Sequence, residues 1–312
     1  MKFDAGMETF IARSEEFFPP DYRDHSLEAQ REMYRALCRA FDRPHPPGLA
    51  VEDRSVAADD HKVPVRIYRP EAAPSPQPCL LYMHGGGWIL GDLESHDSIC
   101  AEIAAAAGLT VVSADYRLAP EHRFPAQVED CGAVLDHLAA RAGDFGIDPA
   151  RLGIGGDSAG GNLAAALCLR SRDRGGPAIK AQILIYPELG LGMTAAGRPP
   201  SGDAPLLVED EMDYYAKAYL GPSGRTTEPY AAPLLAGDFE DLPPAFVQAV
   251  EYDPLRADAE TYAARLEADG VPVELEVAPG LVHGALRARF VSAQAGQAFG
   301  RLCAAVRRLL AT

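Results

Sequence analysis

The stretch "GIGGDSAGGNLAAAL", residues 153–167, sets one serine, Ser158, among small residues. A serine hydroxyl is a weak nucleophile until a neighbouring base takes its proton and a third group orients that base. The chain holds eight histidines. Seven precede Ser158, and His283, in "APGLVHGALRARF", is the only one after it. Between the two, "AFVQAVEYDPLRAD" offers the carboxylates Glu251, Asp253 and Asp258. A second glycine cluster, "YMHGGGWILG", places His84 before Gly85, Gly86 and Gly87. Three successive glycines are costly in conformational entropy, which suggests a backbone that must approach something closely. Serine, histidine, carboxylate and a bare run of amide groups are the parts that acyl transfer needs. Each also has a plainer reading: a glycine turn with an incidental serine, a flexible loop, a carboxylate that starts a helix.

These groups can meet only if the chain folds them together. Residues 7–42 read as helical, with a break at "FFPPDYRDH"; behind Ser26, "LEAQREMYRALCRAF" repeats its apolar residues on one helix face. The prolines of "DRPHPPGLA" end that helix and place a boundary near residue 45. "VEDRSV" and "KVPVRIYRP" then read as an antiparallel pair turning near Asp59, Asp60 and His61. From there strands and helices alternate. The strands are "CLLYMH", "LTVVSADYR", "RLGIGG", "AQILIYPEL", "PAFVQAVEYD" and "VPVELEVAPG". The helices are "SHDSICAEIAAAAG", stopping at Gly108, "PAQVEDCGAVLDHLAARAGDFG", "SAGGNLAAALCLRSRDRG", "DAETYAARLEADG" and a last one near 292–310. This rhythm predicts an α/β fold, a mostly parallel sheet with helices on both faces. The apolar runs "CLLYM" and "AQILIY" suit strands buried on both sides. Residues 192–229 break the rhythm: the segment is too long for an ordinary loop, carries its own helix near 208–220, and reads as a lid.

Composition excludes several classes. Hydrophobic residues make up 47% and charged residues 24% of the 312, an ordinary globular balance that disfavours disorder. The formal net charge of -16, with no basic stripe, disfavours nucleic acid or an anionic membrane as partner. The acidity reads as solubility, with salt adaptation as the alternative. The six cysteines are scattered, with no C-x-x-C and no zinc-ligand spacing, so they read as buried thiols and no metal site is expected. "MKFDAGMETF" lacks the pattern of a secretory signal, and no apolar run approaches a membrane span. A cytoplasmic protein without cofactor is expected.

Ser158 now has a setting. "RLGIG" precedes it as a strand and "NLAAALCLRS" follows as a helix, the strand–turn–helix context of a nucleophile elbow. Gly156 and Gly160 keep strand and helix from clashing there, and the helix N-terminus favours developing negative charge at the serine. "GDSAGG" is also close to the "GDSGG" of trypsin-like proteases, but that serine comes last in an all-β chain, whereas Ser158 is mid-chain in an α/β pattern. The two glycine motifs both follow strands, where parallel sheets place their sites. Together "HGGGW", "DYRLAPEHRFPA", "GDSAGGNLA", "LIYP" and "EYDPLRADAETYAARL", in this order, resemble the bacterial hormone-sensitive-lipase-like esterases of the α/β-hydrolase superfamily. The resemblance covers residues 46–312 as a catalytic domain; the N-terminal segment 1–45 resembles the family's helical cap more weakly, with 192–229 as a cap insertion.

In that superfamily the order is serine, acid, histidine, which makes His283 the base. Asp253 is the favoured acid because it follows the strand "AFVQAV" and precedes the turn at Pro254; the family's D-P-L motif falls on it too. Asp258 reads as a helix start and Glu251 as a neighbour of the site. The amide of Ala159, after the nucleophile, and those of the glycine loop would form the oxyanion hole; the resemblance assigns Gly86 and Gly87 as loop donors, with Gly85 shaping the turn and His84 bracing it. His96 and His122 read as local hydrogen-bonders, and Asp115, Arg117, Glu121 and Arg123 as ion pairs bracing their loop. Asp157 and Glu188 read as structural neighbours of the site, and Phe17, Phe18, Leu206, Leu207, Tyr214 and Tyr215 as apolar cover.

The expected activity is a serine carboxylesterase acting on small esters, with short to medium acyl chains implied by the resemblance. A lactonase, deacetylase, arylesterase or peptidase would use the same residues. A binding-only relative, as plant gibberellin receptors are, lacks the histidine that this chain keeps at 283. The family makes a homodimer plausible, but the sequence carries no interface signal.

Overall fold

The structure, a computed structural model, describes residues 1–191 and 204–311. Its centre is one eight-stranded sheet in the order β1-β2-β4-β3-β5-β6-β7-β8. The strands are β1 Leu49–Ala57, β2 Lys62–Pro70, β3 Gln77–Met83, β4 Thr110–Ala114, β5 Ile147–Asp157, β6 Gln182–Ile185, β7 Ala245–Tyr252 and β8 Val273–Val282. β2 pairs antiparallel with β1 and with β4; from β4 to β8 every pairing is parallel. This is the mostly parallel sheet that the alternation of strand and helix predicts, in the α/β-hydrolase form that the family resemblance implies.

Strand periodicity sorts the side chains between two cores. From β3, Cys79, Leu81 and Met83 face one core, while Leu80 and Tyr82 face the other. β6 sends Leu184 one way and Ile183 and Ile185 the other. The first core is closed by α4 (Ala126–Ala140), α5 (Ala159–Arg174) and α7 (Arg256–Ala268). The second is closed by α3 (Asp97–Ala107) and α8 (Ala293–Leu310), with α1 (Ala5–Glu15) and α2 (Leu27–Ala40) adding Met7, Phe10 and Leu37.

Local chemistry sets the helix ends. Ser26 caps α2 by accepting from Ala29 N, and Gly108 ends α3 in a left-handed conformation at φ 71°. α4 is shorter than the sequence suggests: it stops at Ala140, and Ala142–Phe145 turn as a 3-10 helix into Gly146. The helix expected in the inserted segment is α6, Glu209–Leu220; residues 192–203 of that segment lie outside the described residues. All six cysteines are buried and unpaired.

Candidate active site

The carboxyl ends of β3, β5, β7 and β8 lie side by side or one strand apart, and each releases a loop that carries part of the site. After β5 the chain turns sharply. Ser158 sits at φ 55° and ψ -119°, a strained position for a residue with a side chain, and α5 starts at the next residue. The turn is this tight because its neighbours lack side chains. A Cβ on Gly160 would come within 2.6 Å of the Met83 carbonyl carbon, and one on Gly156 within 2.6 Å of the Gly160 carbonyl carbon. The amide of Ser158 is tied to Ile185 O on β6 at 2.9 Å.

The three residues expected to act together are joined. Ser158 Oγ lies 2.9 Å from His283 Nε2, and His283 Nδ1 lies 2.8 Å from Asp253 Oδ2. The second oxygen of Asp253 accepts the Leu255 amide at 2.8 Å, so the carboxylate is held at both ends. Burial pushes the His283 imidazolium toward losing its proton, but the Asp253 charge and hydrogen bond outweigh it and hold the pKa above the ordinary histidine value. Tyr186 packs edge-on against the imidazole at 4.8 Å between ring centroids.

The other two carboxylates of that stretch have separate tasks. Glu251 accepts the amide of Gly280 at 2.7 Å, on the neighbouring strand. Asp258 lies in the first turn of α7, but its carboxylate also accepts the amides of Leu189 and Gly190, at 3.0 and 2.7 Å, and so binds the loop after β6.

The glycine loop follows β3. Gly86 and Gly87 have φ of 124° and 59°, which only glycine adopts readily. Among the described residues, the N–H groups of Gly86, Gly87 and Ala159 donate to nothing. His84 braces the loop as its position suggests: Nδ1 lies 2.9 Å from Gly85 O, and its ring stacks on Tyr116 at 4.3 Å. Burial and the nearby His96 push the His84 pKa down to about 4, so it stays neutral and can donate from Nδ1.

Asp157 does more than its sequence position signals. It is buried, and its Oδ1 accepts from Tyr82 Oη at 2.8 Å and from the Gly85 amide at 3.0 Å. His96 Nε2 reaches the same oxygen at 3.2 Å, so this histidine serves the loop across 61 residues and not only its own turn. Burial alone would raise the Asp157 pKa; His96, Arg287 and Tyr82 outweigh it and keep the carboxylate ionised. Gly85 is glycine for the same reason, since a Cβ there would come within 2.5 Å of Asp157 Oδ2. Sequence reasoning missed this brace, and adjacency to Ser158 was its only signal.

The ion pairs expected within "DYRLAPEHRFPA" reach outward instead. Arg117 chelates Asp130 on α4, with Nη2 to Oδ1 at 2.8 Å, and Glu121 pairs with Arg31 on α2 at 2.8 Å. His122 is exposed, and its local bond is made by its backbone amide to Leu118 O. Asp115 is driven by burial to a pKa of about 6.

A cavity of about 380 Å³ opens over Ser158 and His283. Phe18, Leu206, Leu207 and Tyr215 line it as expected, whereas Phe17 and Tyr214 do not. Tyr214 instead hydrogen-bonds Gln30 of α2 at 3.0 Å. The Tyr215 ring lies on the glycine loop, where a Gly87 Cβ would come within 2.6 Å of it. Tyr22 Oη donates to Glu211 Oε1 at 2.6 Å, which joins the N-terminal segment to α6 above the site. Phe10, Tyr34, Leu37 and Arg287 also line the cavity; no pattern in the sequence singles them out.

A protein with this sheet, this elbow and this loop is defined by its class before its substrate. The chain belongs to the alpha/beta hydrolase fold family, whose model matches residues 80–287. It is similar to carboxylesterase NlhH of Mycobacterium tuberculosis, 40% identical over 285 residues and 89% of each chain. Esterase LipI of the same organism is 39% identical over 290 residues, covering 92% of this chain and 90% of the relative. Among solved structures, an ester-hydrolase from the metagenome of Lake Arreo superimposes with a TM-score of 0.92 over all of both chains, at 33% identity.

Proposed function

We propose that the chain is a serine carboxylesterase with Ser158 as nucleophile, His283 as general base and Asp253 as the group that orients it. The observation that carries this reading is the continuous chain of 2.9 and 2.8 Å contacts from Ser158 to Asp253, set beside three amide N–H groups with no acceptor among the described residues. His283 takes the Ser158 proton as Oγ attacks the ester carbonyl. Asp253 stabilises the imidazolium without accepting the proton. The new oxyanion is held by the amides of Gly86, Gly87 and Ala159, helped by the N-terminus of α5. His283 then protonates the leaving alcohol, and water hydrolyses the acyl-enzyme by the same route.

Segments 1–45 and 192–229 act as the cap over this centre. A cavity of about 380 Å³ with Phe10, Phe18, Leu206 and Leu207 in its walls suits short to medium acyl chains. Six unpaired thiols favour a reducing compartment, the cytoplasm. Among the described residues no helix is long and apolar enough to cross a membrane.

Hydrolysis of p-nitrophenyl acetate, butyrate and dodecanoate by wild type and Ser158→Ala tests the reading. The short esters should turn over faster than the dodecanoate, and the variant should lose on the order of a million-fold in kcat. A folded wild type inert toward all three, or a Ser158→Ala variant of near-normal rate, would refute it.

A further inference from the structure

Among the described residues, Arg287 is a buried cation of the cavity wall that the chemistry leaves unused. It lies four residues after His283, in the 3-10 turn Ala285–Phe290, and only 8% of it is exposed. Its Nη1 donates to Ser95 O at 2.7 Å and its Nη2 to Tyr34 Oη at 2.9 Å. Nη2 also lies 3.3 Å from His96 Nε2, but that nitrogen already faces Asp157 and is occupied as a donor. Among the described residues Arg287 Nε has no acceptor, and no carboxylate pairs with the guanidinium directly; Asp157 acts on it from behind His96. The Tyr34 hydroxyl accepts from Arg287, and its own proton has no acceptor among the described residues. Arg287 also lies over the Tyr34 ring, 5.1 Å from its centroid.

Arg287 and Tyr34 both line the cavity that holds Ser158, alongside the apolar Phe10 and Leu37. A guanidinium whose only task was to tie α2 to the turn near Ser95 could be shielded from the substrate space. Here two polar side chains, each with a hydrogen that no described residue accepts, stand beside apolar Phe10 and Leu37 on the wall of the cavity, where a substrate oxygen can reach them. The geometry points to a polar subsite in which Arg287 and Tyr34 hydrogen-bond a neutral oxygen of the substrate, a keto, ether or hydroxyl group carried a few bonds from the carbonyl that Ser158 attacks. A neutral oxygen fits better than a carboxylate because Asp157 and Glu188, both buried, line the same cavity and would repel an anion. This assignment rests on Ser158 being the nucleophile.

The test uses isosteric ester pairs that differ only in the oxygen. p-Nitrophenyl levulinate is compared with p-nitrophenyl isocaproate for the acyl side. The butyrate of methyl β-hydroxyethyl ketone is compared with isoamyl butyrate for the alcohol side. Each kcat/KM is divided by the uncatalysed rate. Wild type should prefer the keto ester in one of the pairs by about tenfold, the worth of one hydrogen bond to a charged donor. Tyr34→Phe and Arg287→Met should each bring that ratio toward unity. A flat ratio in both pairs with normal turnover overturns the subsite and leaves the triad standing. A wild-type preference that survives in folded Tyr34→Phe overturns it as well, and that variant decides alone if Arg287→Met does not fold. p-Nitrophenyl hemisuccinate outpacing the levulinate would overturn the choice of a neutral oxygen. Failure of every ester would take the hydrolase reading down with it.

Discussion

Gly86→Ala is the sharpest perturbation of the proposed oxyanion loop. Gly86 has φ 124°, a conformation that an L-residue with a side chain occupies only at a cost of about 1–3 kcal/mol. An added Cβ would also meet the carbonyl of Leu90, 2.7 Å from its carbon. That obstacle is backbone, and it cannot swing away: Gly86 O accepts from the amides of Ile89 and Leu90 at 3.2 and 2.9 Å, closing the loop into one rigid turn. The peptide must therefore rotate at residue 86 and carry its N–H out of line with the Ser158 oxyanion. Loss of one such donor costs about 2.7–4 kcal/mol of transition-state stabilisation, or 10²–10³ in kcat. The assay is kcat on p-nitrophenyl butyrate, with thermal melting recorded on the same preparation. Gly48→Ala is the matched control. It too has a positive φ, 78°, but a Cβ there meets nothing within 4 Å and the position is remote from the cavity. It should lose some stability and keep its kcat. A Gly86→Ala variant that melts lower but keeps kcat within about threefold of wild type would refute the assignment, because the loop would have moved without cost to the oxyanion.

Asp253→Asn should lower kcat by about 10⁴, because the amide holds His283 in the wrong tautomer. The same variant has a pH signature. The His283 pKa is raised above 6.5, so activity should fall as pH drops through that raised value and the imidazole becomes protonated. Removing the Asp253 charge should move the acid limb of kcat/KM to lower pH; a wild-type limb below the ordinary histidine value would contradict this. Gly160→Ala places a Cβ within 2.6 Å of the Met83 carbonyl carbon and 2.8 Å of His84 O. Overpacking two backbones should lower the melting temperature by roughly 3–10 °C in a scanning calorimeter, and an unchanged melt would show the contact to be slack.

Much of this is legible in the sequence itself. Strand and helix patterns placed Ser158, Asp253 and His283 at carboxyl strand ends because burial on both faces writes long apolar runs, and a turn after such a run has few places to go. Asp253 could be ranked above Glu251 because the strand ends just before it. Other features were not legible because they depend on contacts between distant residues. The Asp157 brace joins residue 157 to residues 82, 85 and 96, and no local period records such a meeting. The cavity wall was half read: hydrophobicity selected Phe18 and Tyr215 but equally Phe17 and Tyr214, whose directions are set by helix rotation and packing. The sequence suggests that Arg117 and Glu121 brace their own loop, yet they grip α4 and α2, since a charge pattern shows which residues can pair but not which surface lies opposite.

The roof over the proposed catalytic centre draws on two stretches of chain separated by more than half its length, and side chains stitch them together: Tyr22 to Glu211, and Gln30 to Tyr214. Neither stretch is a module that can be traded by itself. A recombinant that imports only the 204–220 segment from a relative would inherit hydroxyls and carboxylates shaped for a different N-terminal partner, while the triad beneath would be untouched. Exchange of substrate range between relatives should therefore require crossovers that move both stretches at once. Drift in one stretch should be matched by compensating change in the other, so these distant positions are where paired substitutions are expected to accumulate.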